Sequence, residues 1–184
     1  DCLRLNVWTP GPAPGAKRPV MVWLHGGHYS AGSANEAAAF DGTNLSRRGD
    51  IVLVSVNHRL NALGFLNLEA FGESFAGSAN AGMTDIVLAL RWIRENIDAF
   101  GGDPGNVTIF GQSGGGGKVT TLMAMPDAAG LFHRAIVQSN CALRQMPMET
   151  SLRLTFTVLR ELDIPASDVR RLREIPYEAI SRAE

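Results

Sequence analysis

Residues 111–115 read Gly-Gln-Ser-Gly-Gly, a G-x-S-x-G pattern set between an apolar β-type run and a helical one. Five of the seven residues from 111 to 117 are glycine, so the backbone itself must take an unusual path there. A strand that turns abruptly into a helix through such a pattern is a nucleophile elbow. The residues two before and two after the serine, Gly111 and Gly115, need almost no side chain or they would collide. Gln112 completes the turn, and the Ser113 Oγ projects above the carboxyl end of the sheet. The helix that follows points its N-terminus, with unpaired N–H groups, at the reacting centre.

A serine nucleophile also needs N–H donors where negative charge develops, and removing one such donor typically costs about 2.7–4 kcal/mol of barrier. One donor comes from the residue after the nucleophile, Gly114. Another is expected from the loop in "VWLHGGHYSAG" (22–32), which follows its own apolar run. That places the second donor around Gly26, Gly27 and His28, with His25, Gly26 and Tyr29 as candidates for lining a substrate pocket. Two such motifs, each after its own strand, make an incidental glycine loop a poor explanation.

The elements needed to hold these residues are legible in the apolar patterning. Strands are expected at 3–8, 19–25, 51–57, 106–111 and 134–139. Several of these are nearly continuous apolar runs, as in parallel strands buried on both faces. From Met83 to Phe100 the apolar residues Met83, Ile86, Val87, Leu90, Ile93, Ile97 and Phe100 mark a helix with one buried stripe, closed by Gly101-Gly102. A second helix opens after Ser113 and ends near Pro126. "METSLRLTFTVLREL" and "SDVRRLREI" read as two further amphipathic helices. "TPGPAPGAKRP" reads as a turn between two strands, and 67–82 as a long polar connection. Strands alternating with helices argue for an α/β fold.

The totals agree with a globular domain. The chain has 184 residues, 45% of them hydrophobic and 19% charged, with a formal net charge of −1. Nothing in that charge points to nucleic acid or an anionic membrane surface. No apolar run reaches the ~18 residues of a membrane span. The opening "DCLRLNVW" reads as strand and not as a signal peptide, and no compartment or oligomeric state is assigned. Cys2 and Cys141 are expected to be unpaired thiols. The histidines His25, His28, His58 and His133 lack metal-ligand spacing, so no metal site is expected.

Beyond these readings, the chain resembles the type-B carboxylesterase/lipase family of α/β-hydrolases. The likeness is carried by "DCLRLNVWTP", "PVMVWLHGGHYSAGS", "VLVSVNHRLNALGFL", "ALRWIRENIDAFGGDPGNVTIFGQSGG" and "GLFHRAIVQSN", and runs to about residue 145. It implies a partial α/β-hydrolase with a mostly parallel sheet flanked by helices. The N-terminal and C-terminal parts of that fold are expected to be absent. Residues 1–184 would form a single incomplete domain, with 145–184 a helical segment carrying no recognisable motif. The resemblance implies hydrolysis of small-molecule carboxylic esters through an acyl-enzyme on Ser113, with oxyanion N–H groups from Gly27, His28 and Gly114 and with no cofactor. His28 stands where the family often has a third glycine, which removes the expectation of bulky tertiary-alcohol esters. Gln112 replaces a usual glutamate, while His58 and Asn61 replace a tyrosine and a glycine.

In α/β-hydrolases the triad follows the order serine, acid, histidine. After Ser113 there is one histidine, His133, at a family position that is not the base. The expectation is a chain that holds the nucleophile and oxyanion donors without the acid and base, and is nearly inactive alone. The competing expectation is a non-catalytic binding or adhesion domain of the cholinesterase-like kind. Such domains typically lose the nucleophile, whereas Ser113 is present.

Overall fold

The structure, a computed structural model, describes residues 2–140 and 144–183. Cys141 lies outside the described residues, and Cys2 is an exposed free thiol. In chain order the elements are β1 (Leu5–Trp8), β2 (Arg18–Leu24), α1 (Thr43–Gly49), β3 (Val52–Val56), α2 (Asn61–Phe65), α3 (Ala81–Asn96), β4 (Gly102–Gln112), α4 (Gly114–Ala124), β5 (Arg134–Gln138), α5 (Met148–Glu161) and α6 (Tyr177–Arg182). They fall into two compact units, Asp1–His58 with Met83–Leu143, and Arg59–Gly82 with Arg144–Glu184.

The first unit is built on a five-stranded sheet of order β1-β3-β2-β4-β5. The β3–β2, β2–β4 and β4–β5 pairings are parallel and only β1–β3 is antiparallel, the mostly parallel sheet expected of the α/β class. β3, a run of Val, Leu and Ser, is buried at every position, as a strand covered on both faces must be. β5 is an edge, with Ile136 and Val137 exposed. The Pro- and Gly-rich stretch between β1 and β2 is not a hairpin turn, because β3 lies between those strands. β4 begins at Gly102, four residues earlier than the β-propensity of 106–111 suggests. Its first pairing, Arg18 with Gly102, is separated by a register shift from the next, Val20 with Val107, an irregularity of the kind that admits Pro104.

Helix α3 follows the apolar stripe, with Met83, Ile86, Val87, Leu90, Ile93 and Ile97 all buried. It ends at Asn96, and a 3-10 turn over Ile97–Phe100 carries the chain to Gly101 at φ 81°. Helix α4 packs on β2, β4 and β5.

In the second unit, residues 67–82, expected to be a long polar connection, contain three 3-10 turns, Glu69–Phe71, Glu73–Phe75 and Ser78–Asn80. Their apolar residues Leu68, Phe71 and Phe75 pack against buried Leu159, Ile164 and Val169. The Thr155 Oγ1 donates a 2.9 Å hydrogen bond to the Asn67 carbonyl. "SDVRRLREI" is not an α-helix. Ala166–Arg173 is 3-10 in character and broken at Asp168 (φ −131°, ψ 40°). Val169 is buried and Leu172 half-buried in the cluster around Leu159 and Ile164, so the irregular turns still direct their apolar residues inward.

Candidate active site

Strand register brings the two glycine-rich loops together. Leu24, the last residue of β2, pairs with Gly111 of β4, and Gln112 pairs with Gln138 of β5. The chain therefore leaves β2 and β4 side by side at the same end of the sheet. A Cβ placed on Gly26 would lie 3.3 Å from the Gln112 carbonyl oxygen and 3.7 Å from the Ser113 Cβ.

Ser113 caps α4 at φ 55° and ψ −122°, a conformation that costs a non-glycine residue about 1–3 kcal/mol. Three hydrogen bonds hold it there. The Ser113 N–H donates to the Gln138 carbonyl at 2.9 Å. The Ser113 carbonyl accepts from the Gly117 N–H at 3.1 Å and from the Asn140 Nδ2 at 3.0 Å. The turn is as tight as the sequence requires: a Cβ on Gly111 would sit 2.5 Å from the Gly115 carbonyl carbon, and one on Gly115 would overlap the Leu24 carbonyl oxygen. Ser113 is half-buried and Gln112 exposed.

The loop after β2 turns through two residues at positive φ, Gly27 at 80° and His28 at 55°. It is closed by the Ala31 N–H donating to the Gly27 carbonyl at 3.0 Å. Gly27 and His28 are exposed and Tyr29 half-buried. Gly114, the first residue of α4, meets this loop directly: a Cβ added to it would run into the His28 N and Cα. First-turn amides of a helix have no intrahelical acceptor, and the backbone of Gly114, at the head of α4, lies against that of His28.

The histidines are placed very differently. His25 is buried and its ring stacks on His58 at 5.2 Å. The Gly26 carbonyl can only accept, so the His25 Nδ1 carries the proton and donates to it at 2.9 Å. Burial, aided by the nearby Lys118 charge, lowers the His25 pKa to about 4, against the raising effects of the Gly26 bond and Glu36. His133 is engaged elsewhere, its Nδ1 accepting from the Val107 N–H at 3.1 Å and its own N–H donating to the Val107 carbonyl. Val107 lies six residues before Ser113 along β4, about 20 Å at the rise of a strand.

Two residues at the site were not singled out from the sequence. Asn140, which braces the elbow, is signalled only by its place just after β5. Lys118 is fully buried, with its Nζ donating to the His25 carbonyl at 2.9 Å and lying 5.9 Å from the Tyr29 ring centroid. Burial lowers its pKa to about 8. The available signal was a lone charge in the small and apolar run "GGGGKVTTLMAM". Among the described residues, no group of three or more His, Cys, Asp or Glu is arranged to hold a metal, and no helix is long and apolar enough to cross a membrane.

Comparison with known proteins accords with this geometry. A model of the carboxylesterase family matches residues 1–184, so the likeness extends through the tail beyond residue 145. The chain is 42% identical to the para-nitrobenzyl esterase of Bacillus subtilis over 183 residues, all of this chain and 36% of that protein. It is also 42% identical to the phenmedipham hydrolase of Pseudarthrobacter oxydans, covering 98% of this chain and 34% of that one. Among solved structures, the carboxylesterase of Geobacillus stearothermophilus superimposes with a TM-score of 0.94 at 45% identity, over all of this chain and 38% of that one. An esterase of Clostridium hathewayi described as hydrolysing aliphatic aromatic polyesters gives 0.92 at 51% identity, over 99% of this chain and 37% of that one. The chain thus spans little more than a third of the length of the curated relatives it matches. With the elbow, the loop beside it and the sheet beneath them all matched in one continuous stretch, the chain belongs to the carboxylesterase family.

Proposed function

We propose that this chain carries the nucleophile and oxyanion donors of a serine carboxylesterase. The observation that carries the reading is Ser113, held at positive φ at the head of α4 with Gly114 against the backbone of His28. In the reaction a general base takes the Ser113 hydroxyl proton as Oγ attacks the ester carbonyl. The carbonyl oxygen becomes an oxyanion facing the N–H groups of Gly27, His28 and Gly114. As the tetrahedral species collapses, the alcohol leaves with the proton returned by the base. Water then releases the acid and regenerates Ser113. Atoms balance without a cofactor.

None of the four histidines suits the base. His133 is bound to Val107 about 20 Å along the strand. His25 is buried with its Nδ1 committed to Gly26, and His58 is stacked on it. His28 precedes the nucleophile, against the chain order of the fold. By this reading the acid and base are supplied outside these residues, and the two units form part of one larger α/β-hydrolase domain. The chain alone would then retain only a residual rate, about 10³–10⁴-fold over water. The relatives' names support small ester substrates and assign no particular acyl or alcohol group.

The test uses the full-length protein with a fluorophosphonate probe and a p-nitrophenyl ester. We expect covalent labelling at Ser113, and we expect Ser113→Ala to abolish it and lower kcat by about 10⁵–10⁶-fold. An unlabelled Ser113 and no turnover would instead favour the binding-domain alternative.

A further inference from the structure

One buried charge has no part in the chemistry just described. Lys118 is 0% exposed, and among the described residues no carboxylate is in salt-bridge contact with it. A neutral side chain of the same length would be at least as stable there, because a buried cation loses its hydration and is ordinarily retained only with a partner. Its hydrogen-bond acceptor is a backbone carbonyl, that of His25, the Tyr29 ring face lies 5.9 Å away, and Glu36 acts on it only through its field, without salt-bridge contact.

Its position gives the charge a use. Lys118 follows Gly114 by four residues in α4, so the two share a face of the helix. Helical side chains lean toward the N-terminus and cover the preceding turn. The ammonium therefore rises from below toward the turn that contains Gly114, the residue whose outer face abuts His28. The carbonyl it holds belongs to the His25–Gly26 peptide, the entrance to the Gly27–His28 turn. One hydrogen bond thus ties the helix that bears the nucleophile to the loop facing it.

We infer that Lys118 is a positioning residue for ester hydrolysis: it fixes the loop that presents the Gly27 and His28 N–H groups opposite Gly114, and its charge reinforces the positive end of α4 as the oxyanion forms. The inference rests on, and deepens, the reading of Ser113 as the nucleophile. The interaction gains strength only as negative charge builds on substrate, so its effect belongs in kcat and not in substrate binding. The groups facing the ammonium are His25 and Tyr29 on the loop after β2, Glu36 farther along it, and His58 behind His25. With its pKa near 8, the charge is lost on the alkaline side, where His25, held down near 4, stays neutral.

The test compares wild type, Lys118→Met and Ser113→Ala in the full-length protein, with a p-nitrophenyl ester as substrate. An aryl trifluoromethyl ketone, which adds to the serine oxygen as a tetrahedral oxyanion, serves as the second probe. Lys118→Met should lower kcat by about 10–100-fold, less than the loss of a direct donor, with KM little changed. Affinity for the ketone should fall in parallel, while the melting temperature holds or rises. The wild-type kcat should decline on the alkaline side around pH 8, and Lys118→Met should lack that limb. A Lys118→Met enzyme that keeps its kcat, or that loses ester binding and ketone binding alike, overturns the inference and leaves the esterase reading standing. Should Lys118→Met fail to fold, a wild-type kcat that is flat through pH 8 overturns it as well. An inert wild type, or an active Ser113→Ala, overturns the esterase reading and this inference with it.

Discussion

The elbow with its facing loop, and the helical unit of Arg59–Gly82 and Arg144–Glu184, are held together by different kinds of contact. Around Ser113 the determining contacts are between backbones. Gly115 lies against the Leu24 carbonyl, Gly114 against His28, and the Ser113 peptide groups are bonded to Gln138, Gly117 and Asn140. In the helical unit the determining contacts are between apolar side chains, Leu159, Ile164 and Val169 with Leu68, Phe71 and Phe75. Backbone contacts admit almost no substitution, because nothing can rotate aside. Side-chain packing tolerates change if volume and pattern are kept. The first kind of region writes itself into the sequence as glycines at fixed spacing, the second only as a loose apolar period.

Two substitutions sharpen that contrast. Gly115→Ala adds a single methyl group, yet that methyl would overlap a carbonyl oxygen fixed in the centre of the sheet. We expect it to cost at least ~4 kcal/mol, among the largest effects of any point change, and to abolish fluorophosphonate labelling. Leu159→Ala removes far more atoms from a side chain that is only 2% exposed. It should cost about 2–4 kcal/mol, and folded molecules should still label at Ser113. Urea unfolding of the full-length variants, with labelling measured well below the transition, checks both. If Gly115→Ala folds with wild-type stability, or Leu159→Ala loses labelling while folded, the contrast between the two regions fails.

The same contrast explains what could be read from the sequence. The five strands, α3 and α4 were legible because continuous apolar runs and a 3.6-residue stripe are direct images of burial. The elbow and loop were legible because Gly111, Gly115 and Gly27 stand where only glycine fits. Residues 67–82 were not, because Leu68, Phe71 and Phe75 recur at i, i+3 and i+7 in a mostly polar stretch that Gly72 and Gly77, both at positive φ, break into short 3-10 turns. The break at Asp168 is likewise a tertiary outcome, set by the packing of Val169 and Leu172 on α5 and its neighbours. Lys118 and Asn140 escaped notice for another reason: each acts on a backbone group far away in sequence, and no local pattern records that.

The loop region can also be loosened without touching a glycine. His25 is buried and neutral, with a pKa lowered from 6.5 to about 4 by burial and by Lys118. In the unfolded chain the same imidazole takes up a proton at its ordinary pKa. Between those two values the unfolded state binds more protons than the folded one, so stability rises with pH there. His25's contribution is therefore complete above pH 6.5 and is lost progressively as the pH falls toward 4. By pH 5 the loss should amount to ~2 kcal/mol, at about 1.4 kcal/mol per unit. His25→Asn keeps an amide donor near the Gly26 carbonyl but cannot titrate. Its stability should start lower than that of wild type at pH 7, and the gap between them should narrow by pH 5. A constant gap across that range would show that His25 ionises freely within the fold, and that the loop is less tightly closed over it than the stacked, bonded ring implies.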